Sequence, residues 1–153
     1  MEDRPRFFTP IQVRCSETDV HGYVFFGNYL TYLDVAITEY IKTIGYGLDE
    51  LFKRGVDLFY TESLCKCTGK ACFGEPLHVH AGVSHVGNTT IKFEFAIFVR
   101  TTNALVCTGH IEAVVVEKGT RMPVPVPPGF GRAVEEYERR PMRLAEDDIL
   151  RTL

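Results

Sequence analysis

A chain of 153 residues and 17.3 kDa is one domain by length, and its 45% apolar and 24% charged content is that of a globular protein. That excludes bulk disorder and fibrous architectures. Its 17 basic and 20 acidic residues give a net charge of −3, which argues against a nucleic-acid partner, and no stretch is apolar for long enough to make a spanning helix.

The charged start Met1-Glu2-Asp3-Arg4-Pro5 has no apolar centre of the kind a secretory signal needs, so a cytoplasmic location is expected. Ile11, Val13 and Cys15 alternate with Gln12 and Arg14, which predicts a half-buried strand from Pro10 to Cys15. A loop with Thr18, Asp19, Gly22 and Gly27 follows. From Asn28 to Thr43 the spacing predicts a helix that is apolar around most of its circumference. Only Thr31, Asp34, Thr38 and Lys42 form a polar stripe, so the helix has to be enclosed on several sides. Gly45 and Gly47 end it, and Leu48 to Arg54 reads as a short helical turn or two.

Four strands are predicted next, over Asp57–Thr68, Leu77–His85, Thr90–Arg100 and Ala104–Glu117. Gly109 is a candidate bulge, and Gly87-Asn88 and Thr102-Asn103 are candidate hairpin turns. A strand, a buried helix and a four-strand meander fit an α+β fold in which a five-stranded antiparallel sheet wraps around a central helix. Pro123, Pro125, Pro127 and Pro128 then predict an extended strap. Residues 129–153 hold 11 charged residues in 25, so the domain is expected over 1–128 with a charged extension over 129–153. Within the extension, Arg132 to Arg140 reads as a surface helix and the last ten residues as mobile.

Five cysteines with no signal peptide are expected to be reduced thiols. Cys65, Cys67 and Cys72 with His78 and His80 do not follow a usual zinc spacing, and no metal is expected. There is no phosphate-binding or dinucleotide glycine motif, and no G-x-S-x-G elbow of a serine hydrolase.

The candidate site is the loop from Glu17 to Tyr29, which runs into the start of the central helix. A helix N-terminus offers unpaired N–H groups and a partial positive charge, suited to a developing oxyanion, and Asp19 lies just before it. A carboxylate and oriented N–H donors together make a minimal kit for acyl transfer. An Asp in a turn can equally serve to cap the backbone.

Here Thr18-Asp19-x-x-Gly22-x-Val24-x-x-x-Asn28-Tyr29, followed by Tyr32-Leu33-Asp34-x-Ala36, resembles the 4-hydroxybenzoyl-CoA thioesterase family of hotdog-fold proteins. Phe73-Gly74-Glu75-Pro76-Leu77, Val86-Gly87-Asn88-Thr89-Thr90 and Arg121-Met122-Pro123-Val124-Pro125 resemble further family segments, so the likeness runs from about Pro10 to Pro128. The resemblance implies a hotdog fold and hydrolysis of an acyl-CoA thioester to free acid and CoA, without a cofactor. Asp19 would be nucleophile or general base, and the Phe26 backbone N–H would polarise the carbonyl. Gly22 would let the loop turn beside the substrate, and His21 would orient water or Asp19, or be a polar loop residue. Val24, Asn28 and Tyr29 would contact substrate. The family pairs edge to edge, so a homodimer or homotetramer is implied. Thr61, Glu62 and Ser63 would then be contributed across the interface, and Asp34 would meet the acyl group.

CoA phosphates need local positive charge, for which Lys66, Lys70, Lys92, Arg100 and Arg121 are available. Two alternatives share the pantetheine chemistry. One is release of acyl chains from an acyl carrier protein in lipid or polyketide synthesis; the other is a non-catalytic acyl-binding hotdog protein. A hydratase is disfavoured for want of an Asp/His signature.

Overall fold

The computed structural model describes residues 4–139. Its elements in order are β1 (Phe7–Gln12), α1 (Asn28–Thr43), α2 (Leu48–Lys53), β2 (Val56–Cys67), β3 (Pro76–Val86), β4 (Thr90–Val99), β5 (Leu105–Glu117) and α3 (Phe130–Glu138). The strands form one five-stranded antiparallel sheet, as predicted, but in the order β1-β3-β4-β5-β2: only β3, β4 and β5 follow one another as a meander, and β2 crosses to the far edge to pair with β5 instead of β3.

The helix α1 has the predicted bounds, because no Gly or Pro lies between Gly27 and Gly45 and the helix takes up Asn28–Thr43 of that stretch. It buries Tyr29, Tyr32, Leu33, Ala36, Ile37, Tyr40 and Ile41. These residues meet the inward-facing row of Leu77, Val79, Ala81 and Val83 on β3, and Ile91, Phe93, Phe95 and Ile97 on β4. Burying one such side chain contributes about 1.5–3 kcal/mol, so this row is the main source of stability. The enclosure is less complete than the sequence suggests. Leu30 is only half-buried and Val35 is 43% exposed, so the open face is wider than the polar stripe.

Two further expectations are corrected. The first strand runs over Phe7–Gln12, not Pro10–Cys15, because Phe7 and Phe8 already pair with Ala81 and His80. Pro10 fits there because this edge strand has a neighbour on one side only. Cys15 instead starts a 3-10 turn over Cys15–Glu17. The predicted bulge at Gly109 is absent; Gly109 pairs in register with Cys65 and Phe95. Glycine is needed because any Cβ would run into the Leu64 carbonyl and, at 2.6 Å, into the Phe95 ring. Register shifts lie elsewhere: on β2, where Thr61 is the extra residue between the pairs Tyr60–Ala113 and Glu62–Glu112, between Val83 and His85 on β3, and between Ile97 and Phe98 where β4 meets β5.

After β5 the strap returns along the sheet, with the Val124 N–H donating to Val115 and the Val126 N–H to Asn88. Next, α3 starts two residues before the predicted Arg132 and is anchored from inside. Phe130 and Val134 are buried, and Tyr40 donates a 2.8 Å hydrogen bond to Glu138. Arg140 and the last ten residues lie outside the described residues.

Candidate active site

Between β1 and α1 the chain folds into a loop held along one flank. The Asp19 N–H donates to the Tyr23 carbonyl at 2.7 Å, and the Gly22 N–H donates back to Asp19 at 3.0 Å. This tight reversal needs φ of +79° at Gly22, a region that suits glycine. The Asp19 Oδ1 accepts from the backbone N–H groups of His21 (2.9 Å) and Tyr23 (3.3 Å), while Oδ2 meets no donor among the described residues. The flank docks on the segment between β2 and β3: Val24 donates to Ala71 and Phe73 donates to Gly22. The Lys70 ammonium lies 4.5 Å from the centre of the Tyr23 ring.

The loop closes on Glu17. Its carbonyl accepts from the Phe25 N–H at 3.0 Å and from the Asn28 side-chain amide at 2.9 Å. Its buried carboxylate accepts from Tyr32 at 2.5 Å, from the Arg14 N–H at 2.9 Å and from the Arg14 guanidinium at 2.7–2.8 Å. Burial works to raise the Glu17 pKa, but these donors outweigh it and hold the carboxyl below its ordinary value. The Tyr32 phenol is pushed up by burial and by the same carboxylate, so it remains a donor. Immediately beyond, the Phe26 and Gly27 N–H groups meet no acceptor among the described residues. They lead into α1 at its positive end, with the Phe25 and Phe26 rings exposed beside them.

A second feature lies between the open face of α1 and β2. A cleft of about 540 Å³ is lined by Leu30, Thr31, Asp34, Ile111 and the four consecutive residues Tyr60, Thr61, Glu62 and Ser63. Tyr60 donates to Asp34 Oδ1 at 3.1 Å, and burial together with that carboxylate pushes the Tyr60 phenol up. The strand itself is the open edge of the sheet, with Phe59, Tyr60 and Leu64 each more than 40% exposed.

The residues singled out in the sequence thus fall into two groups. Asp19, His21, Gly22 and the Phe26 N–H share the loop, whereas Asp34, Thr61, Glu62 and Ser63 share the cleft. No loop residue lines the cleft within one chain. Val24 and Tyr29 are buried, with the Tyr29 hydroxyl accepting from Ala71, and the Asn28 amide is committed to Glu17. The His21 ring has no partner among the described residues.

The sequence reading placed Glu17 at the start of the candidate loop but gave it no role of its own, and nothing in the sequence announced its contacts beyond a carboxylate three residues after Arg14.

The cysteines and histidines of the irregular ligand-like string do not gather. Cys72 bridges to Tyr23, His78 and His80 stand on the outer sheet face, and Cys65 lies 3.8 Å from Cys67. Burial pushes the Cys65 thiol up to about 11. One ligand-bearing group comes together among the described residues, namely Glu62, His110 and Glu112, with atoms within 4.8 Å of one another. Two of its members pair with each other, His110 with Glu62 at 2.9 Å, and Glu112 faces Lys92 at 3.9 Å.

No described helix is long and apolar enough to cross a membrane. Among curated proteins the chain is similar to the acyl-CoA thioesterase YbgC of Haemophilus influenzae, 28% identical over 79% of this chain and 88% of the relative. Its fold is similar to that of a DHNA-CoA thioesterase from Staphylococcus aureus (TM-score 0.78, 24% identity, 86% and 90% of the two chains). It is also similar to the Staphylococcus aureus protein SAV2348, solved in complex with CoA (TM-score 0.80, 14% identity, 97% and 94% covered). The family model of the thioesterase-like superfamily matches residues 13–134, most of the chain, and this protein belongs to that superfamily of hotdog-fold proteins.

Proposed function

We propose that the protein hydrolyses acyl-CoA thioesters, with Asp19 as the catalytic carboxylate. The observation that carries this reading is the pairing, in one clamped loop, of an exposed carboxylate with two N–H groups that meet no acceptor among the described residues. Asp19 either attacks the thioester carbon or takes a proton from the attacking water. The carbonyl oxygen, which gains negative charge as the tetrahedral centre forms, lies against the Phe26 and Gly27 N–H groups at the positive end of α1. Collapse then expels the CoA thiolate; on the nucleophilic route this leaves an acyl–Asp19 anhydride, which water hydrolyses to the free acid, restoring the Asp19 carboxylate. The reading is supported by family membership and by relatives named as acyl-CoA thioesterases.

The cleft lined by Asp34, Tyr60, Thr61, Glu62 and Ser63 receives the acyl group, and two copies join through the open edge of β2. That pairing brings the loop of one subunit to the cleft of the other. Its support is the separation of loop and cleft within a chain, together with the exposed apolar residues along β2.

The test is a panel of short, medium, long and aryl CoA esters with the wild type and Asp19→Asn, following free CoA by chromatography. A thiol dye would also report the chain's own exposed Cys15 and Cys67. Turnover by the wild type with a loss of about a hundredfold or more in Asp19→Asn is expected. A wild type inert on every ester, or an Asp19→Asn variant as active as the wild type, overturns the assignment.

A further inference from the structure

Glu17 is buried and ionisable, and the chemistry just proposed leaves it without a task. Its connections are unusual in joining both ends of the loop at one residue. Through its carbonyl it holds Phe25, the residue before the proposed oxyanion donors, and the amide of Asn28, the first residue of α1. Through its carboxylate it holds Tyr32, one turn further along the buried face of α1, and Arg14 on the incoming chain. Asp19 follows two residues later. The distance between the carboxylate that attacks and the N–H groups that receive the charge is therefore spanned by Glu17.

We propose that Glu17 is a positioning residue that sets the register between Asp19 and the start of α1. It touches no reacting atom. It rests on the thioesterase reading above, since the geometry it sets matters only if Asp19 and the N–H groups act on one carbonyl. An acyl transfer of this kind is sensitive to displacements of about 1 Å between reacting groups. A gap that opens at the carboxylate–Tyr32 contact is passed to both partners. Glu17 does not line the cleft assigned to the acyl group, so the loss falls on turnover.

The experiment compares the wild type with Glu17→Gln and Tyr32→Phe. Gln keeps the size of the side chain while removing its charge; Phe removes the Tyr32 hydroxyl and leaves the Arg14 pair intact. Steady-state kinetics are normalised to folded protein, and amide exchange at Phe25 and Asn28 is followed without substrate. Expected are a fall in kcat of about tenfold or more in Glu17→Gln and a smaller fall in Tyr32→Phe. KM stays within about twofold, and exchange accelerates at both amides. Wild-type kcat in both variants, with only their melting temperature lowered, overturns the positioning role and leaves the thioesterase reading standing. A wild type inert on every thioester overturns that reading and this one together.

Discussion

The loop between Thr18 and Gly27 is tied at both ends and along one flank by hydrogen bonds within its own chain, whereas β2 is held along one side only. The loop places a charged group and two N–H donors with little left to move. Along β2, Phe59, Tyr60 and Leu64 are exposed beside a cleft that borders no loop residue. On the function proposed above, the chemistry that depends on angles and distances falls to the part completed by one chain, and recognition of an acyl group to an edge that another surface can complete.

Gly109→Ala strikes hardest at this contrast, because it attacks the one side on which β2 is held. The added methyl meets the Leu64 backbone carbonyl, which cannot rotate away, so a drop of about 3 kcal/mol in urea unfolding is expected. A loss under about 1 kcal/mol would mean that β2 shifts freely against β5. A smaller change is expected from Leu64→Asp, which leaves the fold intact and puts charge on the open edge. Light scattering against dilution should give a particle of two or four chains for the wild type, and about tenfold weaker association for the variant. Unchanged association would locate the contact elsewhere.

The smallest effect is on the loop side and is read by pH. The Glu17 carboxyl lies below its ordinary 4.5 in the folded chain and returns to it on unfolding. Its stabilisation is therefore complete above about pH 4.5 and is lost as pH falls through the lower folded value. Denaturation midpoints below pH 5 should decline less steeply in Glu17→Gln than in the wild type. Parallel curves would remove Glu17 from the acid response.

How far these regions could be read beforehand follows from how local their signals are. The helix α1 was legible because glycines flank a run without Gly or Pro whose apolar residues recur at helical spacing, although many of them are β-branched or aromatic. The turns joining β3, β4 and β5 were legible, but the sheet order was not: a four-strand meander would place β2 beside β3, whereas it pairs with β5 at the far edge. The first strand was misplaced because Phe7-Phe8 lacks alternation, and only pairing with β3 shows that it is extended. Gly109 carried the signature of a bulge, but its reason is an approach by Leu64, 45 residues earlier in the chain. Glu17 was invisible for the same kind of reason. Its partner Tyr32 lies fifteen residues away, and nothing in the spacing says that a carboxylate in a turn will meet a phenol on a helix. Of the candidate site, the residue types in the loop could be read from the residues themselves, whereas the grouping of Asp34 with Thr61, Glu62 and Ser63 away from the loop came only as an implication of the family resemblance.

The extra residue at Thr61 has a consequence for how such a protein changes over generations. In a plain strand only alternate residues border one surface, yet here four in succession border the cleft. Loss of the single codon for Thr61 would remove one of the four and leave Tyr60 opposite Ala113 and Glu62 opposite Glu112, with the rest of the sheet paired as before. The volume offered to a ligand can thus be altered by one in-frame deletion, without a new fold and without touching Asp19. Related genes that differ in length at this point are where divergent substrate preferences should be sought first.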